Sequence, residues 1–177
     1  DFQTETDFQK AVEGVLAGNS VFFIEGFSLI LVADTKGYKT RAPEEPNNEK
    51  ILNGSREGFC EDLMINLSLL RRRLKTTDLK IQYLTVGEKT NTKVAVCYLQ
   101  GIADNNLVKG IIEKIQAIQI DGAVCTNYIE ELISGNRLSP FKTAGSTERP
   151  DAAAAKMLEG KVTVFVDGTP MVMTAPY

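Results

Sequence analysis

The chain has 177 residues, 43% hydrophobic and 24% charged, with a formal net charge of -3. Such a composition expects a packed core and excludes wholesale disorder, while a slightly acidic balance of mixed signs excludes the concentrated Lys and Arg surface of a nucleic-acid binder. Histidine is absent, which removes the commonest general base and transition-metal ligand, and three cysteines stand apart without a C-x-x-C pair.

The length accommodates one large domain or two small ones. No run of about 18 apolar residues and no signal peptide is found, so these residues are expected to be soluble and their thiols unpaired.

In chain order, Phe8, Val12, Val15 and Leu16 recur at helical spacing before Gly18-Asn19, which predicts a short amphipathic helix over 5–17. Residues 21–24 and 27–33 are apolar, β-rich runs around Glu25-Gly26. They read as a hairpin with both strands substantially buried. Residues 34–50, with Gly37, Pro43, Pro46 and Asn47-Asn48, read as a mobile loop.

Residues 51–75 take a glycine-punctuated polar loop directly into an amphipathic helix. Phe59, Leu63, Leu67, Leu70 and Leu74 share one face, with Glu61 and Asp62 in the first turn and Arg71, Arg72 and Arg73 in the last, as the helix dipole favours. Residues 79–86 and 94–99 read as strands around a polar turn, forming either a hairpin or the crossing between two lobes. A second amphipathic helix is expected over 104–119, a short strand over 120–124 and a short helix over 127–134, so that 94–124 reads as a βαβ unit. Pro150 suits the first turn of a helix running to Leu158, with Gly160 just beyond it. Residues 162–166 and 171–175 close as a hairpin around Asp167-Gly168-Thr169-Pro170. The fold class is therefore mixed α/β, in two small lobes over 1–88 and 92–177, each a β-sheet with packed helices.

Three places hold candidate chemistry. Ser55, Arg56, Glu57 and Gly58 lie at a helix entry, where unpaired backbone N–H groups favour an anionic group, although Ser55 as a plain cap explains the same residues. Arg149 and Asp151 offer both charge signs at another helix start, suited to a zwitterionic ligand or to an ion pair. Asp167 lies in a turn. Arg71 to Arg73 suit an acidic partner or simply a solvated helix end. The Asn-x-Ser matches at Asn53 and Asn66 read as chance. No nucleophile, acid or base has a partner at motif spacing, so no catalytic residue, metal site or cofactor is assigned and an enzyme is not expected.

The stretches N-G-S-R-E-G-F-C-E-D-L-M-I-N-L-S-L-L-R-R-R-L-K, S-P-F, E-R-P-D-A-A-A-A-K-M-L-E-G-K-V and F-V-D-G-T-P together resemble the A-subunit family of bacterial spore germinant receptors, the GerA type. The likeness runs from the hairpin near residue 21 to Tyr177, and departs from the family's usual G-P-R-E-G-F by carrying Ser55 in place of Pro. It implies a soluble N-terminal domain preceding a membrane-embedded region, with Tyr177 close to the first membrane helix. The full-length protein would be embedded in the spore inner membrane beside B and C subunits and other A subunits, with this domain on the cytoplasmic, core side. Such receptors respond to amino acids or sugars and trigger germination. The resemblance thus implies nutrient sensing, either through a small ligand held between the lobes or through an assembly and coupling module with no ligand site of its own.

Overall fold

A computed structural model describes residues 2–16, 18–35, 57–118 and 145–176. Among them the chain is mixed α/β, with a three-stranded sheet, a five-stranded sheet and four helices. In chain order these are β1 (Phe2–Glu5), α1 (Phe8–Leu16), β2 (Ser20–Phe23), β3 (Ile30–Ala33), α2 (Leu63–Arg73), β4 (Leu79–Val86), β5 (Thr92–Leu99), α3 (Asn105–Gln116), β6 (Gly145–Thr147), α4 (Pro150–Leu158), β7 (Val162–Val166) and β8 (Val172–Ala175).

Residues 2–35 build the smaller sheet in the order β1-β3-β2, antiparallel throughout. Helix α1 lies over the face carrying Val32, whose methyl group would sit 3.3 Å from a Cβ at Gly14. The expected hairpin is present, but only one of its strands is well buried. Ile30, Val32 and Ala33 of β3 are enclosed, whereas Phe22 and Phe23 of β2 remain 49% and 65% exposed. β3 is the middle strand, with a neighbour on each side, and β2 is an edge.

The larger sheet has the order β4-β5-β7-β8-β6, every neighbouring pair antiparallel. Both of its faces are covered. Val94, Val96, Val162, Val164, Val166 and Met173 pack beneath Val108, Ile111 and Ile115 of α3. The alternate residues Ala95, Cys97, Leu99, Phe165 and Val172 pack beneath Leu63, Leu67 and Leu70 of α2 and Ala153, Ala154 and Met157 of α4. Two covered faces explain why V-T-V-F-V in β7 is buried along its whole length and carries apolar residues on both faces. The strands 79–86 and 92–99 form a hairpin, so the boundary expected at 88–92 falls in its turn. Residues 63–86 accordingly share a sheet and a core with the described residues of 92–176.

Helix α2 begins at Leu63 rather than directly after Gly58, and its cap is Asp62, not Ser55. The Asp62 carboxylate accepts from the N–H groups of Met64 and Ile65 at 2.8 and 3.1 Å. Phe59 therefore reaches the core from an extended segment, not from the helix face. Helix α3 is capped in the same way by Asp104. Helix α4 opens on Pro150 and ends before Gly160, whose φ of 88° is the left-handed conformation that glycine adopts without strain. Of the expected loop over 34–50 all but residues 34–35 lies outside the described residues, as do the strand over 120–124, the second strand of the βαβ unit, and the helix over 127–134.

Candidate functional site

The extended segment 57–62 is held at nearly every residue. The Phe59 ring enters the core beneath α2 and meets Phe165 edge-on, with centroids 5.2 Å apart at 87°, an arrangement that aligns the positive ring edge with the negative ring face. Its N–H donates to the Glu148 carbonyl at 2.7 Å. The buried Asn66 side chain pairs with both backbone polar groups of Cys60. The Glu61 carbonyl accepts from the Gly168 N–H at 2.8 Å.

The turn between β7 and β8 meets the same place from the other side. Asp167 Oδ1 accepts from the Leu63 N–H at 3.2 Å, and the Asp167 N–H donates to the Lys93 carbonyl at 2.9 Å. A helix leaves its first N–H groups without intrahelical partners. Here Asp167 takes that of Leu63 and Asp62 takes those of Met64 and Ile65, so two carboxylates of the chain occupy the position an external anion would fill. The glycine at 168 has φ 89°, which lets the turn bring its N–H onto Glu61.

The remaining charged candidates are also engaged within the chain. Glu57 receives Arg72 and Arg73 on separate carboxylate oxygens, each at 3.0 Å, clasping the start of the segment to the last turn of α2. Arg149 forks onto Asp151 through Nε at 3.1 Å and a terminal nitrogen at 2.6 Å. That hydrogen-bonded guanidinium, opposed by partial burial, holds the Asp151 carboxyl below the usual carboxylate range. Asp151 Oδ1 also accepts from the Ala152 N–H, filling the entrance of α4.

Thus 57–62, 148–151 and 167–168 converge, although they are far apart in the chain. Glu57 and Asp167 bond across this junction, Gly58 lies within its extended segment, and Arg149 and Asp151 bond to each other at the α4 entrance beside it, while Ser55 and Arg56 lie outside the described residues. Sequence reasoning missed Asp62 as the cap and Asn66 as the anchor of Cys60. The available signals were an Asp immediately before the first periodic leucine and a lone Asn among the leucines of α2.

Beside the junction, Asp62, Leu63, Met64, Tyr83, Leu84, Thr85, Lys93 and Asp167 line an open groove of about 710 Å³. It offers carboxylates, an ammonium group and an aromatic ring, a set able to meet a small zwitterion. Among the described residues no group of three or more Cys, Asp or Glu side chains is placed to hold a metal, and no helix is long and apolar enough to cross a membrane.

Comparison with known proteins places this geometry in context. A model of the family described as Bacillus/Clostridium GerA spore germination protein matches residues 1–177. The Bacillus subtilis (strain 168) protein named Uncharacterized membrane protein YfkQ is 41% identical over 172 residues, covering 97% of this chain and 34% of that protein. Spore germination protein KA of the same organism is 36% identical over 174 residues, covering 98% and 32% respectively. The crystal structure of the N-terminal domain of the A subunit of the Bacillus megaterium spore germinant receptor GerK3 superposes with a TM-score of 0.73 at 31% identity, covering 99% of this chain and 62% of that one. The chain spans about a third of the length of the curated relatives it matches.

Proposed function

Because the chain belongs to the Bacillus/Clostridium GerA spore germination protein family, we propose that it serves in a germinant receptor A subunit as a signalling module, contributing to nutrient sensing and the triggering of germination by assembly and coupling. In this reading the full-length protein sits in the spore inner membrane with B and C subunits and further A subunits, and this domain faces the core. One observation supports it above the others. The charged groups that could have met a ligand are turned onto the chain itself, Glu57 onto Arg72 and Arg73, Arg149 onto Asp151, and Asp167 onto the entrance of α2. A junction satisfied in this way joins the start of the segment, α2, β5 and the turn into β8 as one unit, which suits transmission of displacement better than capture of a small anion.

The groove beside Asp167 supports a second reading, in which an amino acid or sugar docks against Tyr83, Lys93 and the two aspartates. Two measurements separate them. Amide NMR of the domain titrated with amino acids and sugars shows no shifts around Tyr83, Lys93 and Asp167 at millimolar concentration if the domain couples without a ligand, and saturable shifts there if it binds one. Glu57→Gln in the full-length receptor slows nutrient-triggered germination severalfold at unchanged receptor level under the coupling reading. Unchanged germination in that variant would overturn it.

A further inference from the structure

Residues 2–35 carry a surface unlike the rest of the described chain. Phe8, Phe23, Ile24, Phe27 and Leu29 are 64%, 65%, 51%, 70% and 47% exposed. They gather at one end of the small sheet. Phe23 ends β2, and Ile24 to Leu29 form the connection to β3, turned by the Phe27 N–H bonding to the Ile24 carbonyl at 3.1 Å. Phe8 opens α1 with its ring centroid 6.1 Å from that of Phe23. Single exposed apolar side chains are ordinary, but a contiguous group at a hairpin tip marks a contact surface.

The charge around this tip limits what can cover it. Glu5 and Phe23 are both register partners of Ile30, Asp7 immediately precedes Phe8, and Glu25 lies within the turn. Across residues 2–35 five carboxylates stand against one lysine, Lys10, which itself reaches Glu5 at 4.0 Å. An anionic lipid surface would meet Glu5, Asp7 and Glu25 with like charge. Two copies joined tip to tip would bring Glu25 against its own equivalent, an arrangement that like charge disfavours.

We propose that the β2–β3 tip, with Phe8, is a docking surface for a segment of another polypeptide of the receptor in which Lys or Arg side chains alternate with apolar ones. The apolar side chains cover Phe23 and Phe27 while the cations meet Glu5, Asp7 and Glu25. The proposal rests on the assembly reading above and adds the surface and the chemistry of its partner.

The test uses the full-length receptor in its own membrane, with a photo-crosslinking phenylalanine analogue at position 27 and, as control, at Lys109, an exposed position on α3. The expected adduct joins position 27 to a different polypeptide, within a stretch that peptide mass spectrometry shows to be basic and apolar. Its yield falls at least fivefold with Glu25→Lys and falls with rising salt. An adduct to lipid, to a second copy of this chain or to another part of the same chain overturns the proposal, as does a yield no higher than that from position 109. The Phe23→Ser/Phe27→Ser double variant is expected to keep the domain's thermal midpoint while the partner is lost from the detergent-solubilised receptor; retention of the partner also counts against it. If the adduct fails while Glu57→Gln slows germination, the docking surface is wrong and the coupling reading stands. If the adduct forms while Glu57→Gln germinates normally, the coupling reading is wrong and the docking surface stands.

Discussion

The side chain of Asn66 closes a two-point ring with the backbone of Cys60. Oδ1 accepts from the Cys60 N–H at 2.8 Å, and Nδ2 donates to the Cys60 carbonyl. Asn66 is 1% exposed, so this pairing satisfies a buried amide and holds the segment that carries Phe59 into the core. The amide of the Asn-x-Ser match at this position is thereby enclosed and engaged by the chain itself. Asn66→Ala leaves both Cys60 groups without that partner and is expected to cost about 2–3 kcal/mol. Denaturant unfolding should show a lowered midpoint; an unchanged midpoint would mean that water takes over both bonds at little cost.

The entrance of α2 depends on two carboxylates distant in sequence. Asp62→Ala and Asp167→Ala should each cost about 1 kcal/mol, the usual range for a lost N-cap. For a protein of this size that lowers the thermal midpoint by about 2–4 °C each. Both carboxylates act on the first turn of one helix, so the double variant should depart from additivity. Scanning calorimetry on the two single variants and the double checks both statements.

The clasp of Glu57 by Arg72 and Arg73 is partly solvated, with the Glu57 side chain 21% exposed and the two arginines 41% and 35%. Glu57→Gln should therefore cost only about 1 kcal/mol or less. The difference from wild type should shrink as salt rises, because exposed charge pairs are screened. Urea midpoints at low and high salt test this, and a salt-independent difference would indicate packing rather than charge.

Asp151 should make acid stability pH-dependent. Its native carboxyl titrates below the unfolded value of about 3.9, held there first by the Arg149 hydrogen bond. The ion pair's contribution is present above about pH 4 and is lost as pH falls through the native value. The stability difference between wild type and Asp151→Asn should accordingly be constant near neutrality and vanish in strong acid. A difference that shows no decline from its neutral value as acid is added would contradict the assignment.

The two described cysteines should react unequally. Cys97 is fully enclosed, and burial pushes its thiol far above the ordinary range, outweighing the nearby Arg71 charge. Cys60 is half-buried. Alkylation followed by peptide mass spectrometry should label Cys60 in the native protein and Cys97 only after unfolding. Labelling at equal rates would show that the sheet opens locally.

Much of the secondary structure was legible because its signals are local. Leu63, Leu67, Leu70 and Leu74 repeat at the helical period, and V-T-V-F-V and Pro150 mark their elements without reference to the rest of the chain. The burial of β2 was misjudged for the opposite reason. Phe22 and Phe23 read as core residues, yet an edge strand has a neighbour on only one side, and which strand is the edge is a property of the assembled sheet.

By itself the sequence determined the mixed α/β class, the existence and apolar face of α2 though not its first residue, the position of α4 and both closing strands, and through its signature stretches the likeness to germinant receptor A subunits. Those features rest on periodicity, turn residues and the identity of short segments, all written within a few residues of one another. Only the tertiary structure decided that the loop residues Glu57 to Asp62, the Glu148–Asp151 helix entry and the Asp167 turn meet in one junction. Contacts such as Leu63 to Asp167 join residues 104 positions apart. No local pattern specifies which of several carboxylates will take a given helix N–H, because that choice follows from how α2 packs across β5 and β7 in the folded protein.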